Sequence, residues 1–287
     1  MKYLVIDCDA VCWAAFHSMP SLSYDGEGTA IIYGFLNQIF YFQGFDKADR
    51  IIFCWDSKFS KRTDLFPKYK YKRRQDKANY TEEEKVAHKS RHRQFKLLRT
   101  RILPALGFNN IFYQEGYEGD DMVASTVINI PPGVFAKIIA RDKDLFQLIT
   151  NNVTMYDWIE GRVITMEWLY ENYGVYPDLW PDIMALSGCS TDEVPGISGI
   201  GKTSAIKFLT AKLKHSTKAY QKIVNGCDEI ELSRILTTLP FEGANVYKVR
   251  KDECQPSMMK HVARQYGLNS YLNRLAEFKE LFCASKA

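Results

Sequence analysis

The sequence predicts an α/β protein: a mostly parallel central sheet with helices on both faces, a basic helical insertion and a helical C-terminal part. Three observations lead there. Continuous apolar runs of strand length recur at 3–6, 51–55, 111–113 and 136–140. Segments of helical apolar spacing, such as 31–42, alternate with them. Each run leads to a carboxylate at or just past its carboxyl end. Strands apolar throughout are those buried on both faces, and their alternation with helices is the pattern of a parallel sheet.

The first element is Tyr3-Leu4-Val5-Ile6, a buried strand closed by Asp7, with a helix expected over about 10–17. A second helix over 31–42 is broken by Gly44, and Ile51-Ile52-Phe53-Cys54-Trp55 is a second strand closed by Asp56. A third strand over 110–114 leads to Gly116-Tyr117-Glu118-Gly119-Asp120-Asp121, whose carboxylates sit at the start of a helix with Met122-Val123-Ala124 and Val127-Ile128 on its apolar face. Acidic groups are favoured there by the helix dipole, and a solvated cap accounts for one of them. The fourth strand, 136–140, runs on to Asp142 and Asp144. A hairpin follows over 153–158 and 162–166 around Ile159-Glu160-Gly161, and the chain is helical from about 168, with breaks at Pro177, Pro181, Gly188, Pro195-Gly196 and Pro240. The expected division is a core over 1–180 with its insertion at about 58–106, and a helical part over 181–287.

Composition excludes several classes. The 287 residues are 46% apolar and 25% charged, which suits a folded globular protein and not a disordered one. Asp7 and Asp9 interrupt the apolar start, and no segment is long enough to span a bilayer. Seven cysteines, odd in number and without a Cys-x-x-Cys pair, point to reduced thiols and a cytoplasmic protein. Within the net charge of +4, residues 61–101 hold fifteen Lys/Arg against five Asp/Glu, a local +10 that leaves −6 for the rest. A basic segment on an acidic body suggests one surface for a polyanion and another for cations.

Ligand sites in open α/β sheets form beyond the carboxyl ends of the strands. Asp7, Asp56, Glu118, Asp120, Asp121, Asp142 and Asp144 all lie at such ends. Carboxylates gathered on one sheet edge repel unless they share a counter-ion, and an oxygen-only set without His suits Mg²⁺ or Mn²⁺ rather than Zn²⁺.

The insertion interleaves Tyr69 and Tyr71 with Lys68, Lys70 and Lys72, and a helix capped near Thr81 carries Arg91, Arg93, Lys96, Arg99 and Arg101. Too few acids alternate with these bases for helix-face ion pairs, so a nucleic acid is the expected partner. Gly196-Ile197-Ser198-Gly199-Ile200-Gly201-Lys202-Thr203 fits the P-loop pattern, but a polar loop precedes it and no strand ending in Asp follows. The other reading is a helix-hairpin-helix turn over 194–209, whose glycines let backbone N–H groups approach a duplex phosphate.

In their order, these motifs resemble the 5′-nuclease family: bacteriophage flap endonucleases and the 5′–3′ exonuclease domain of bacterial DNA polymerase I. The resemblance runs from Tyr3 to about Leu209 through Leu4-Val5-Ile6-Asp7, Phe53-Cys54-Trp55-Asp56, Tyr69-Lys70-Tyr71-Lys72-Arg73, Glu118-Gly119-Asp120-Asp121, Asp142-Lys143-Asp144-Leu145 and the hairpin. It implies a phosphodiesterase with two Mg²⁺ (or Mn²⁺) sites. Asp7, Asp56, Glu118 and Asp120 would hold the first, directly or through water, and Asp121, Asp142, Asp144 and Asp192 would hold or support the second. It also implies that Lys70 and Arg73 act on the scissile phosphate, beneath an arch over about 75–103. Arg62, Tyr69, Lys72, Arg91, Arg93, Gly199, Gly201, Lys202 and Thr203 would contact DNA, with K⁺ at the hairpin.

The implied substrate is DNA with 5′ flaps or ends, or RNA–DNA, cut by a monomer during replication in a bacterium or phage-infected cell. With no polymerase segment after residue 287, a separate replicative polymerase or single-strand-binding protein is the expected partner, as in a phage. Two positions depart from the family pattern. Ala14 stands where an Arg is usual, and Cys189 replaces a second-metal carboxylate. Thiolate is a poor Mg²⁺ ligand, so a DNA-binding protein with an impaired second site is the alternative reading.

Overall fold

The structure, a computed structural model, describes residues 1–18 and 22–283, apart from the side chains of 227–229. Its strands are β1 (Lys2–Asp7), β2 (Ser23–Tyr24), β3 (Glu27–Gly28), β4 (Arg50–Cys54), β5 (Ile111–Phe112), β6 (Phe135–Ile139), β7 (Val153–Asp157) and β8 (Arg162–Ile164). Six of them form one sheet in the order β5-β4-β1-β6-β7-β8, while β2 and β3 make a separate two-stranded ribbon. All pairings in the large sheet are parallel except β7 with β8, the expected hairpin. The third expected strand shrinks to two residues, although the Asn110 carbonyl still accepts the Phe53 N–H of β4 at 2.8 Å; the Asn110 side chain meanwhile ties to Arg250 and Asp252 of the distant C-terminal segment.

The apolar runs divide between the two faces with a period of two. Tyr3 and Val5 pack with Ile52, Cys54 and Ile138 under helices Gly119–Ile128 and Trp180–Ser187. Leu4 and Ile6 pack with Ile51 and Phe53 under helix Ala30–Asp46. The C-terminal segment joins this second face: Met259, Val262, Tyr271 and Phe278 are buried in the same cluster as Leu4 and Phe35. Ile197, Ala205 and Ile223 likewise share the first cluster with Val5, so residues beyond 180 contribute to both layers of the core. Among the described residues, no helix is long and apolar enough to cross a membrane.

The basic insertion forms helices Tyr71–Ala78 and Glu82–Leu97. The second starts at a capping box in which Thr81 Oγ1 accepts from the Glu84 N–H and the Glu84 carboxylate accepts from the Thr81 N–H. Its far end is pinned to the core by Gln94, whose Oε1 accepts the Ile31 N–H at 3.0 Å. Phe95 is buried beside it, and a π-helical turn, Leu98–Ile102, carries the chain back to the sheet.

Met259 is fully buried in the tail's contribution to the core, whereas Lys260 faces solvent. Met259→Ala should lower unfolding free energy by about 2–4 kcal/mol, and Lys260→Ala by less than about 0.5 kcal/mol, both read from urea denaturation. Equal small losses would mean the tail does not cover the sheet in solution.

Candidate active site

The order β4-β1-β6 places β1 at the point where the chain changes direction across the sheet, and the crevice there opens beyond the strand ends. Asp7 closes β1, and its Oδ1 accepts the Ala10 N–H at 3.1 Å, starting helix Cys8–Ser18. Asp56 follows β4 and accepts the Gly119 N–H through Oδ1 at 2.5 Å. A Cβ on residue 119 would stand 3.0 Å from that oxygen, so glycine is what allows the β4 carboxylate to seat on the helix N-terminus. Asp142 caps the 3-10 turn Lys143–Leu148 by accepting the Asp144 N–H at 2.9 Å.

These groups sense one another. Burial, then Asp56 and Asp142, push the Asp7 carboxyl up to about 7. Burial, then Asp142, Asp7 and Asp56, hold Asp120 well above the usual carboxylate range. Burial, followed by Asp142 and Asp192, pushes Asp144 up to about 7. Asp56 is raised as well, by burial and then Glu118. Clustered carboxylates that resist ionising together, with no His among them, are the donor set of a hard divalent cation, so the residues fit Mg²⁺ or Mn²⁺. Among the described residues, no three of these side chains already make a finished coordination set.

Glu118 differs. Burial opposes its charge, yet Lys70 and Arg62 hold its carboxyl below the ordinary value. Lys70 Nζ lies 2.8 Å from Glu118 Oε2 and 3.8 Å from Asp192 Oδ2. Arg73 reaches Asp192 at 2.8 Å. The base of the basic helices is thereby tied to the loop between helices Trp180–Ser187 and Lys202–Leu209, also through the Lys70 N–H, which donates to the Asp192 carbonyl at 2.9 Å.

One assignment made from the sequence is narrowed and two are corrected. Asp121 is fully buried, and both its oxygens meet Arg62 at 2.8 Å. It also accepts the Glu118 N–H at 2.9 Å and the Phe241 N–H at 2.8 Å. With both oxygens so engaged it is the counter-ion of Arg62 in this structure, which leaves it the supporting role and not that of a direct ligand. Arg62 is buried for the same reason, its Nε donating to the Leu236 carbonyl, so it cannot contact DNA. Tyr69 is buried too, and its hydroxyl donates to Glu118 at 3.0 Å, so its ring is not available for stacking on bases.

Lys72 is exposed, and Arg93 lies on the surface paired with Glu27. Arg91 packs over Trp13 and Phe16, with its guanidinium carbon 5.2 and 4.7 Å from the ring centres. Asp9 was passed over in the sequence reading. Its Oδ2 accepts the Asp56 N–H at 3.0 Å, and burial, then Asp56 and Asp7, hold its carboxyl well above the ordinary range. The signal was its place two residues after the strand-closing Asp7.

The Gly196–Thr203 turn lies between two helices, with no strand feeding it, which removes the P-loop reading. Gly196 and Gly188 both have positive φ, and a Cβ on residue 196 would stand 2.3 Å from the Gly188 nitrogen. Only glycines permit that crossing. Gly199 and Gly201 are exposed on the turn, and Gly201 caps helix Lys202–Leu209. Lys202 holds its ammonium 5.6 Å from the Trp180 ring centre, and Thr203 is exposed. Lys222 Nζ donates to the Ser198 carbonyl at 2.8 Å, so an ammonium of the chain itself occupies the hairpin carbonyl. At Cys189, Sγ lies 3.0 Å from Thr191 Oγ1.

A carboxylate rim at the crossover of an α/β sheet thus lies beside a basic helical insertion and a glycine-rich turn between two helices. The chain belongs to the 5′–3′ exonuclease family: residues 2–174 match the model of its N-terminal resolvase-like domain. It is 31% identical over 212 residues to the 5′–3′ exonuclease of Aquifex aeolicus, covering 73% of this chain and 69% of that protein. It is 30% identical over 258 residues to the thermostable DNA polymerase I of Thermus aquaticus, covering 84% of this chain and 29% of that much longer one. The fold is that of the bacteriophage T5 5′-exonuclease solved with zinc, at a TM-score of 0.70 and 18% identity over 98% of this chain and 99% of the other. A T5 flap endonuclease complex with DNA and metal ions matches at a TM-score of 0.66 and 19% identity over 98% and 100% of the two chains.

Two outcomes test the site. Arg62→Met leaves Asp121 buried without its partner and should destabilise the protein by about 3–5 kcal/mol. Arg62→Met with Asp121→Asn should recover part of that, and a double variant no better than the single one would remove the counter-ion role. Asp7 and Asp144 have folded-state pKa values raised above the unfolded value, so folding takes up protons on their account. In EDTA their contribution is most favourable below pH 4 and is lost as pH rises to about 7. The melting temperature in EDTA should therefore fall from pH 5 to 7.5 and recover with Mg²⁺; a flat profile with and without Mg²⁺ would contradict it.

Proposed function

We propose that the chain is a structure-specific 5′-nuclease. It acts as flap endonuclease and 5′–3′ exonuclease on DNA or RNA–DNA, with two divalent cations, Mg²⁺ or Mn²⁺. The observation that carries this reading is the gathering of Asp7, Asp56, Asp120, Asp142 and Asp144 beyond the carboxyl ends of neighbouring parallel strands, with Lys70 held at the same rim by Glu118. Cations bound there would supply Lewis-acid stabilisation of the phosphoryl oxygens and a water nucleophile at neutral pH. Asp7, Asp56, Glu118 and Asp120 would hold one, and Asp142, Asp144 and Asp192 the other.

Lys70 stays charged although burial disfavours it, because Glu118 lies against it. A phosphate entering above the rim competes with Glu118 and Asp192 for that ammonium. The developing negative charge then meets a cation already oriented toward it. Arg73, more exposed and paired with Asp192, adds a second charge from the same helix. Residues 181–287 serve as the duplex-gripping part. There the N–H groups at the start of helix Lys202–Leu209 take a phosphate, with Gly199 and Gly201 leaving the backbone accessible. The Ser198 carbonyl already accepts from the Lys222 ammonium, so K⁺ would be held by the other carbonyls of the turn.

A 5′-labelled flap duplex incubated with Mg²⁺ or Mn²⁺ tests the reading. The chain should release the flap. Asp120→Asn should cut at background rate with binding retained, and Lys70→Met should lower kcat on the order of 10²–10³-fold. Tight, salt-sensitive binding of intact substrate with both ions would instead select the alternative of a DNA-binding protein, in which Cys189 has disabled the second site.

A further inference from the structure

Away from the carboxylate rim, on helix Glu82–Leu97, His88 and His92 lie one turn apart with their Nε2 atoms 2.9 Å from each other and their ring centres 4.2 Å apart. Histidines four apart on a helix share a face, and their ring nitrogens can meet on one metal ion. Imidazole nitrogens bind such ions at about 2.0–2.1 Å, so a 2.9 Å separation subtends about 90° at the metal. That is the angle between adjacent ligands in square-planar, tetragonal or octahedral coordination, the geometry of copper(II) and nickel(II), and is narrower than the tetrahedral angle of zinc.

We propose that His88 and His92 form a two-imidazole clip for a divalent copper- or nickel-type cation on the basic arch. Among the described residues no third Asp, Glu, His or Cys completes the set, so water or a phosphate oxygen fills the other positions. The surroundings hold both rings on one side. Tyr80 packs edge-on to His88, with ring centres 5.6 Å apart, and Phe95 packs against His92 at 5.7 Å.

Lys77 and Arg91 are the charges that act on both rings, with Lys58 acting on His92 as well. They oppose an incoming cation, and they also oppose protons. Burial, then His88 and these cations, bring His92 down to about 4, while burial and then Lys77 and Arg91 lower His88. Near pH 7 both rings are therefore neutral, one Nε2 donating its proton to the other, and the metal would take the place of that shared proton as the donating ring moves its N–H to Nδ1. The inference stands on the two imidazoles and does not depend on the proposed cleavage.

The test is imidazole NMR of the full chain in saturating Mg²⁺, which keeps the carboxylates occupied, with NiCl₂ added. Signals of His88 and His92 should broaden at one equivalent, before those of His17, His215 and His261. His88→Gln and His92→Gln, both surface changes, should each weaken nickel uptake on the order of 10–100-fold through loss of the chelate. ZnCl₂ should bind less tightly than NiCl₂. Equal broadening of all five histidines, or uptake unchanged in either variant, would overturn the proposal.

Discussion

The constraint that governs this molecule is the repulsion among carboxylates gathered at one sheet edge, and the uneven way the chain's own cations answer it. Arg62 is given wholly to Asp121, in a closed bidentate pair that also anchors the Phe241 backbone. Lys70 is given mainly to Glu118. Asp7, Asp120 and Asp144 have no such close cation, and their carboxyls are pushed up by burial and by neighbouring carboxylates, with Lys202 and Lys70 opposing this only in part at Asp144. An Arg in a rigid buried fork satisfies a carboxylate permanently. A Lys on a flexible stem can be drawn away by a stronger anion. The distinction separates the groups that hold the fold from those free to meet a cation.

The fold and much of the rim were legible in the sequence because both are written in local patterns. Apolar runs marked β1, β4 and β6, and the residues that close them are the ones coupled in the structure. The capping box at Thr81 and the hairpin of β7 and β8 followed from short-range rules. The separation of Asp120 from Asp121 was readable too, since successive helical residues point about 100° apart.

What remained hidden depends on partners far away in the chain. Nothing local to Arg62 or Tyr69 says that they are buried, because the groups that bury them come from Glu118, Asp121, Leu236 and Phe241. A basic, aromatic stretch reads as a surface for phosphates and bases, and Lys72 and Arg73 do face solvent. Two members of the same run instead brace the rim. The C-terminal segment was equally opaque: its buried positions match a helix face, but long-range contacts, such as those of Tyr271 with Asn37 and the Tyr33 carbonyl and of Arg274 with Asn37, place that face on helix Ala30–Asp46.

The same long-range ties make the arch and the rim one mechanical unit. Lys70 adopts a left-handed backbone at the start of helix Tyr71–Ala78, a conformation that a lysine takes only when its surroundings compel it. Its N–H is held by the Asp192 carbonyl and its ammonium by Glu118, so two contacts at one residue join the base of the basic helices, the loop before the hairpin and the helix N-terminus that follows β5. Glu193, next along that loop, is also left-handed and accepts the Lys72 N–H. An anion that draws Lys70 from Glu118 loosens the charge balance of the rim in the same motion. On the proposed function, phosphate arrival and exposure of the Glu118 carboxylate would be the same event, felt at the left-handed lysine that joins the basic helices to the sheet edge.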